Sequence, residues 1–272
     1  NFGRCYRTLA LSYLDEAEYR HAAGQDVDPA LSKAIELLSE SARLSPGRVI
    51  GRADLTRAYA LAGRAAVESG RDPTAFQDQL AAAIADCMKL TTTNAECYSR
   101  SVEHAKIDAA WRLLSGKPVM PAVQQGLQLA QEALLRNPQA ARVHALAAEL
   151  HYLAAMQTSG RAQAGAVADG LARAELALKQ NPELVEALSI TGRLLLLQMP
   201  GQSGARRLDS ARRAAEALRF PQRHLRFRND LRLQVHACPL GLHALFTHGR
   251  GVAVNSGLVF LMLACNLDSP GR

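Results

Sequence analysis

Residues 126–138 read Gly126-Leu-Gln-Leu-Ala-Gln-Glu-Ala-Leu-Leu-Arg-Asn-Pro138, and residues 170–182 read Gly170-Leu-Ala-Arg-Ala-Glu-Leu-Ala-Leu-Lys-Gln-Asn-Pro182. Both open on glycine, carry apolar residues at helical spacing and close on Asn-Pro. Two further segments share the frame. One is Leu31-Ser-Lys-Ala-Ile-Glu-Leu-Leu-Ser-Glu-Ser-Ala-Arg-Leu-Ser-Pro46, the other Leu80-Ala-Ala-Ala-Ile-Ala-Asp-Cys-Met-Lys-Leu-Thr-Thr-Thr-Asn-Ala95. In all four a small residue (Ala34, Ala83, Gly126, Gly170) stands twelve positions before the closing slot. The closing slots are 49, 43 and 44 residues apart. A fifth segment, Ser210 to Pro221, is one residue shorter before its proline. A recurring period of this size is the mark of a stacked array.

The small residue lets two helices approach closely, and the apolar stripe faces a partner helix. Proline then disfavours helical geometry in the residue before it and stops the helix. A second helical stretch follows each stop, over 49–69, 95–115, 140–159 and 184–198, with 2–22 as the first-unit counterpart. Ten residues past each stop the chain is again small or slender, at Thr56, Ala105, Ala148 and Gly192. Three further on come Tyr59, Asp108, His151 and Leu195, of which Asp108 departs from the pattern.

The links within a pair are patterned too. Gly24-Gln-Asp-Val-Asp-Pro29 and Gly70-Arg-Asp-Pro73 are the clearest, with Gly116-Lys-Pro118 and Pro121 in the third slot. Glycine can take the left-handed conformation that ends one helix, aspartate caps the next, and proline suits its first turn. Thr158-Ser-Gly-Arg161 and Met199-Pro-Gly-Gln-Ser-Gly204 are degenerate versions.

Composition agrees. Hydrophobic residues make up 48% of the 272, enough to bury a core, while aromatics are only 5%. A chain rich in Ala and Leu favours helices over sheets and argues against a sandwich or barrel. The net charge of +7 lies wholly in residues 205–272, where eleven arginines face four acids; residues 1–204 balance. No nucleic-acid footprint is therefore expected for residues 1–204. The five cysteines (Cys5, Cys87, Cys97, Cys238, Cys265) are too scattered for a disulfide framework and favour a reducing, cytoplasmic setting. The longest apolar stretch, Gly251 to Cys265, is short of the roughly 20 residues of a membrane helix. The chain opens at Asn1 without a signal peptide and reads as though cut from something longer, so a membrane anchor upstream stays open.

The fold expected is all-α, an α-α superhelix of about five helix pairs with an irregular C-terminal tail. Its units are 1–46, 47–95, 96–138, 139–182 and 183–221. This resembles the tetratricopeptide repeat, in the small residue of the second helix, Ala133-Leu134 and Ala177-Leu178 near its end, the Asn-Pro stop and the small residue ten positions on. The period exceeds that family's 34 residues because the intra-pair link is about ten residues longer. Units with Gly-x-Asp-Pro links, Leu-x-x-Ala-Ile and Ala-Leu-x-x-Asn-Pro look like the repeat tracts that follow the kinase domain in large bacterial serine/threonine protein kinases. The resemblance implies a non-catalytic scaffold that recruits substrates or regulators of a signalling kinase. A stand-alone adaptor without a kinase and, from the enzyme class, a helical-toroid hydrolase are the alternatives.

The chain carries no His-Arg-Asp loop, Asp-Phe-Gly or Gly-rich kinase loop, no Gly-x-Ser-x-Gly and no His-Glu-x-x-His. Neither catalysis, cofactor nor metal is expected. His144 and His151 share a helix face, but zinc wants four ligands, and packing explains them better. His236, Cys238, His243 and His248 match no zinc spacing. Trp111 falls at helical spacing with Leu and Ala and reads as core.

What remains is binding. In the family resembled, the first helix of each pair lines a concave surface. Residues one place after the small crossing residue would point into it: Arg57, Lys106, Glu149 and Arg193, with Arg142, Tyr152 and Glu186 as neighbours. Three of the first four are basic, which suits an acidic peptide or a carboxylate terminus.

After Pro221 the phase is lost, and Arg232 stands where a small residue is due. Residues 222–272 are open to three readings: a cap with a disordered basic end, a basic membrane-surface or nucleic-acid segment, or out-of-frame translation. The sudden Arg/His richness favours the third.

Overall fold

The structure is a computed structural model that describes residues 2–91, 95–199 and 206–217. Among the described residues nine helices run in order: α1 Phe2–Ala22, α2 Asp28–Leu44, α3 Val49–Glu68, α4 Thr74–Leu90, α5 Ala95–Leu114, α6 Met120–Arg136, α7 Ala141–Gln157, α8 Gly160–Gln180 and α9 Val185–Gln198. A further helix, α10, covers 206–217. The described residues hold no strand. The tail readings for 222–272, and the unit end at 221, lie outside the described residues.

Local chemistry repeats where the sequence repeats. Gly24, Gly70 and Gly116 all have positive φ, at 67°, 71° and 67°. Each ends an odd-numbered helix in the same way. The residue after it donates its N–H to the carbonyl five back: Gln25 to Arg20, Arg71 to Ala66 and Lys117 to Arg112, each at 2.8 Å. This is the glycine-terminated cap that satisfies otherwise orphaned carbonyls. Asp26 Oδ1 then accepts the Asp28 N–H at 3.0 Å, and Asp72 Oδ1 the Thr74 N–H at 2.9 Å, opening α2 and α4. The degenerate link at Thr158 differs. α7 ends without such a glycine, and Gly160, also at positive φ, is the first residue of α8.

The stops are alike as well. The Arg48 N–H reaches the Ser45 carbonyl at 3.1 Å, Ala140 that of Asn137 at 3.2 Å and Leu184 that of Asn181 at 3.1 Å. Asn137 and Asn181 also accept side-chain hydrogen bonds from the Gln139 and Glu183 N–H groups.

From α1 to α9 each helix packs on the next in the chain, and α1, α3, α5, α7 and α9 also pack successively on one another. The even-numbered helices make no comparable contact among themselves, so they form the outer layer and the odd-numbered helices the inner one. The result is an all-α superhelical stack. All eight small crossing residues (Ala34, Ala83, Gly126, Gly170, Thr56, Ala105, Ala148 and Gly192) are buried.

Two of them show why they are small. A Cβ on Gly126 would stand 2.7 Å from Leu150 Cδ1 and 3.1 Å from the Ala105 Cβ. One on Gly170 would stand 2.9 Å from Leu194 Cδ1 and 3.2 Å from the His151 Cβ. The contact recurs at the same spacing: Leu150 and Leu194 each lie 24 residues beyond their glycine. α6 and α8 are thus each wedged between two odd-numbered helices at a point with room for a hydrogen and little else.

The cysteine reading needs correction. Cys87 and Cys97 form a disulfide with a Cα–Cα distance of 6.1 Å, both fully buried against Ala53. Their spacing of ten residues resembles no motif; the packing of α4 on α5 brings them together. Scattered cysteines therefore no longer argue for a reducing compartment. Cys5 is free and exposed. No helix among the described residues is long and apolar enough to cross a membrane.

Candidate functional site

Stacking five odd-numbered helices side by side leaves one groove of about 550 Å³ across their exposed faces. Its lining comes from those helices alone: Glu18 and His21 of α1, Asp54, Arg57 and Arg64 of α3, Glu96 and Arg100 of α5, Arg142 of α7 and Glu186 of α9, over Ala53 and Leu61. Of the seven residues expected there, the groove collects Arg57, Arg142 and Glu186. Lys106 and Glu149 pair with each other across α5 and α7 at 2.8 Å and do not line it. Tyr152 is half buried and packs into two core clusters instead. Arg193 is not part of the lining either.

The expected basic surface turns out to be largely self-neutralised. Arg57 makes a forked contact with the Glu18 carboxylate, at 2.7 and 2.5 Å, and reaches Asp15 at 3.2 Å. Burial alone would raise the Glu18 pKa, but the Arg57 hydrogen bonds and charge outweigh it and hold Glu18 below the usual carboxylate range. Asp54 is paired with Arg7 of α1. Counting basic residues along one helix face overlooked these partners because they arrive from neighbouring helices.

Apart from Arg142, the centre of the groove escaped sequence reading. Arg100 and Glu103, three apart on α5, are each only 1% exposed and pair with each other. Glu103 also meets Arg64 Nε at 3.3 Å and Arg142 Nη2 at 3.2 Å, so one buried carboxylate gathers guanidinium groups from three successive odd-numbered helices. Burial works to raise its pKa, yet the charges of Arg100, Arg64, Arg142 and Lys106 drive it far below the ordinary value. Glu96 binds Arg100 and stands 3.7 Å from Arg142. The only sequence signal was a Glu-x-x-x-Arg-x-x-Glu run on a helix, which ordinarily marks a solvated face.

The remaining candidates are accounted for by packing. The His144 ring bonds to the Pro138 carbonyl at 3.1 Å. His151 lies on α7 with its Cβ against Gly170, and burial lowers its pKa. Asp108, out of pattern in the repeat, is held by Arg112 one turn on at 2.8 Å. Trp111 packs into a core cluster with Ile107 and Leu80. No group of three or more metal-ligating side chains occurs among the described residues, and the His236–His248 group lies outside them.

No family model and no curated protein matches the chain.

Proposed function

We propose that this chain is a protein-interaction scaffold of the tetratricopeptide kind, holding a partner segment in the groove of its odd-numbered helices and performing no chemistry of its own. The observation that carries this reading is the groove itself, lined by side chains from all five odd-numbered helices. A wide polar trough assembled from successive units suits an extended or helical peptide, which can touch each unit in turn. Most of its charged groups are held in ion pairs, and such groups position and recognise rather than attack.

The further reading, that the array is the non-catalytic portion of a bacterial serine/threonine kinase, rests on the Gly-x-Asp-Pro links and Asn-Pro stops. It makes recruitment of a substrate or regulator the purpose of the groove. Sequencing the coding region upstream of Asn1 tests it: a kinase domain ending shortly before residue 1 supports the reading, and its absence leaves a stand-alone adaptor. The groove is tested by replacing Arg57 and Arg142, both in its lining, together with Glu and measuring partner retention by pull-down. Unchanged retention, with helicity intact by circular dichroism, refutes this placement of the partner.

A further inference from the structure

The Cys87–Cys97 bridge lies against the groove. Both cysteines are fully buried in a cluster with Ala53, and Ala53 is also part of the groove lining. Val49 of α3 and Met88 of α4 pack on the same cluster. The residue before each cysteine is charged and paired. Asp86, before Cys87, meets Arg52 of α3 at 3.0 Å. Glu96, before Cys97, binds Arg100 and stands 3.7 Å from Arg142 of α7. Cys97 stands three residues before Arg100, so the start of α5 that carries the bridge also carries two lining charges, Glu96 and Arg100. Among the described residues this is the one covalent tie between helices. It falls at the junction whose closing slot holds Ala95, where Pro46, Pro138 and Pro182 stand elsewhere.

We propose that Cys87 and Cys97 form a redox switch for the groove. Oxidised, the bridge holds the start of α5 so that Glu96 and Arg100 keep their places in the lining. Reduced to two thiols, it releases that turn and loosens the link from Glu96 to Arg100 and Arg142. The argument is one of space and tether. A covalent bond holds two sulfurs inside their van der Waals contact distance, so two thiols need more room than the disulfide they come from. A densely packed interior has no such room to spare. It is made by moving Ala53 or the first turn of α5, and both belong to the groove. The chemistry is thiol–disulfide exchange with a dithiol reductant. Its thiolate attacks one sulfur, the S–S bond breaks, and the other sulfur leaves as a thiolate that takes up a proton. The second thiol of the reductant then resolves the mixed disulfide. Two electrons and two protons pass to Cys87 and Cys97, and the reductant becomes a cyclic disulfide. Because both sulfurs are buried, attack proceeds through local opening where α4 packs on α5. The purpose of this regulation rests on the scaffold reading.

The experiment uses the full chain purified without reductant. Alkylation with iodoacetamide in denaturant, mapped by mass spectrometry, should leave Cys87 and Cys97 unmodified until a dithiol is added; finding both alkylated beforehand overturns the proposal. Hydrogen–deuterium exchange is then compared with and without dithiothreitol. Reduction should speed exchange of the α5 amides over 96–103 about tenfold or more, while α1, α2 and α8 keep their rates, because each unit of an array contacts only its neighbours. Cys87→Ser with Cys97→Ser should exchange like the reduced chain and ignore the reductant. The comparison on the unmodified chain decides the matter even where this variant fails to fold. Equal exchange in both redox states, or a rise of the same size in every helix, overturns the switch. Selection of a random dodecapeptide library on the oxidised and the reduced chain separates the switch from the scaffold reading. Enrichment on the oxidised chain alone supports both. Equal or greater enrichment on the reduced chain overturns the switch and leaves the scaffold standing. No enrichment on either overturns the scaffold, and the exchange result still decides the switch.

Discussion

A methyl group added at Gly126 should weaken the array, whereas the same methyl at Gly165 should strengthen it. Both glycines lie inside helices, α6 and α8, where Ala is favoured over Gly by about 1 kcal/mol. Gly165 is exposed, and a Cβ there meets nothing within 4 Å, so Gly165→Ala should gain close to the full propensity term, ~1 kcal/mol. At Gly126 the new Cβ would lie 2.7 and 3.0 Å from the two Leu150 methyls and 3.1 Å from the Ala105 Cβ. Leu150 is fully buried within a core cluster, and the Ala105 Cβ is fixed to its helix. Overpacking of this kind costs roughly 1–3 kcal/mol, which outweighs or cancels the propensity gain. The two variants should therefore differ by ~1–3 kcal/mol, with Gly126→Ala the less stable. Urea unfolding followed by helical ellipticity measures both midpoints. Because arrays can unfold unit by unit, the comparison needs matched slopes. A Gly126→Ala chain at least as stable as Gly165→Ala refutes the close-crossing argument on which the repeat reading rests.

Four further outcomes are expected. Glu103→Gln leaves Arg100 buried beside a neutral amide, so it should destabilise by about 3–5 kcal/mol, whereas Arg57→Ala, removing a partly solvated pair, should cost no more than ~1 kcal/mol; thermal melts of the two variants check the contrast. The folded-state pKa of Glu103 lies below its ordinary 4.5, so its contribution to stability is fully present above that value and is lost as pH falls through and below it. Melting temperature should therefore be flat in this term near neutrality and drop below about pH 4.5, and Glu103→Gln should have a shallower acid slope. Cutting the Cys87–Cys97 bridge, which closes a ten-residue span, by Cys87→Ser with Cys97→Ser should cost roughly 2–3 kcal/mol of loop-closure entropy, read as a lowered urea midpoint that reductant no longer shifts. Gly70→Ala forces an L side chain into a left-handed conformation at the α3 cap and should cost ~1–2 kcal/mol, while Gly47→Ala, with an ordinary φ and open space around it, should be near neutral in the same assay.

Local readings could be made from the chain because they depend on neighbours a few residues away. Where a helix ends is decided by whether Gly24, Gly70 or Gly116 can turn left-handed and whether Pro46, Pro138 or Pro182 follows. These are properties of single residues and their adjacent peptides, and the helix bounds agree with them to within a few residues at most termini. α4, α6 and α8 begin several residues before the repeated segments at Leu80, Gly126 and Gly170, because the helix starts at the link and not at the first repeated residue. The buried small residues were legible for the same reason: a gap in side-chain size at constant spacing implies a crossing, whatever crosses there.

Charge was not legible in this way. On α3 and α5, Arg57, Arg64, Arg100 and Glu103 look like an ordinary solvated helix face, since sequence reports which residues share a helix but not which helix lies opposite. Arg57 is neutralised from α1, 39 residues away, and Glu103 is reached from α3 and α7, each 39 residues distant. Electrostatic pairing acts through space between elements whose lateral spacing is set by the wedge at residues such as Gly126, so only the assembled stack could decide which charges cancel. The disulfide belongs to the same class, since Cys87 and Cys97 meet only because α4 and α5 turn back on each other. Sequence alone determined helices, caps and close crossings; the tertiary structure decided which side chains face one another, and so what the groove has left to offer a partner.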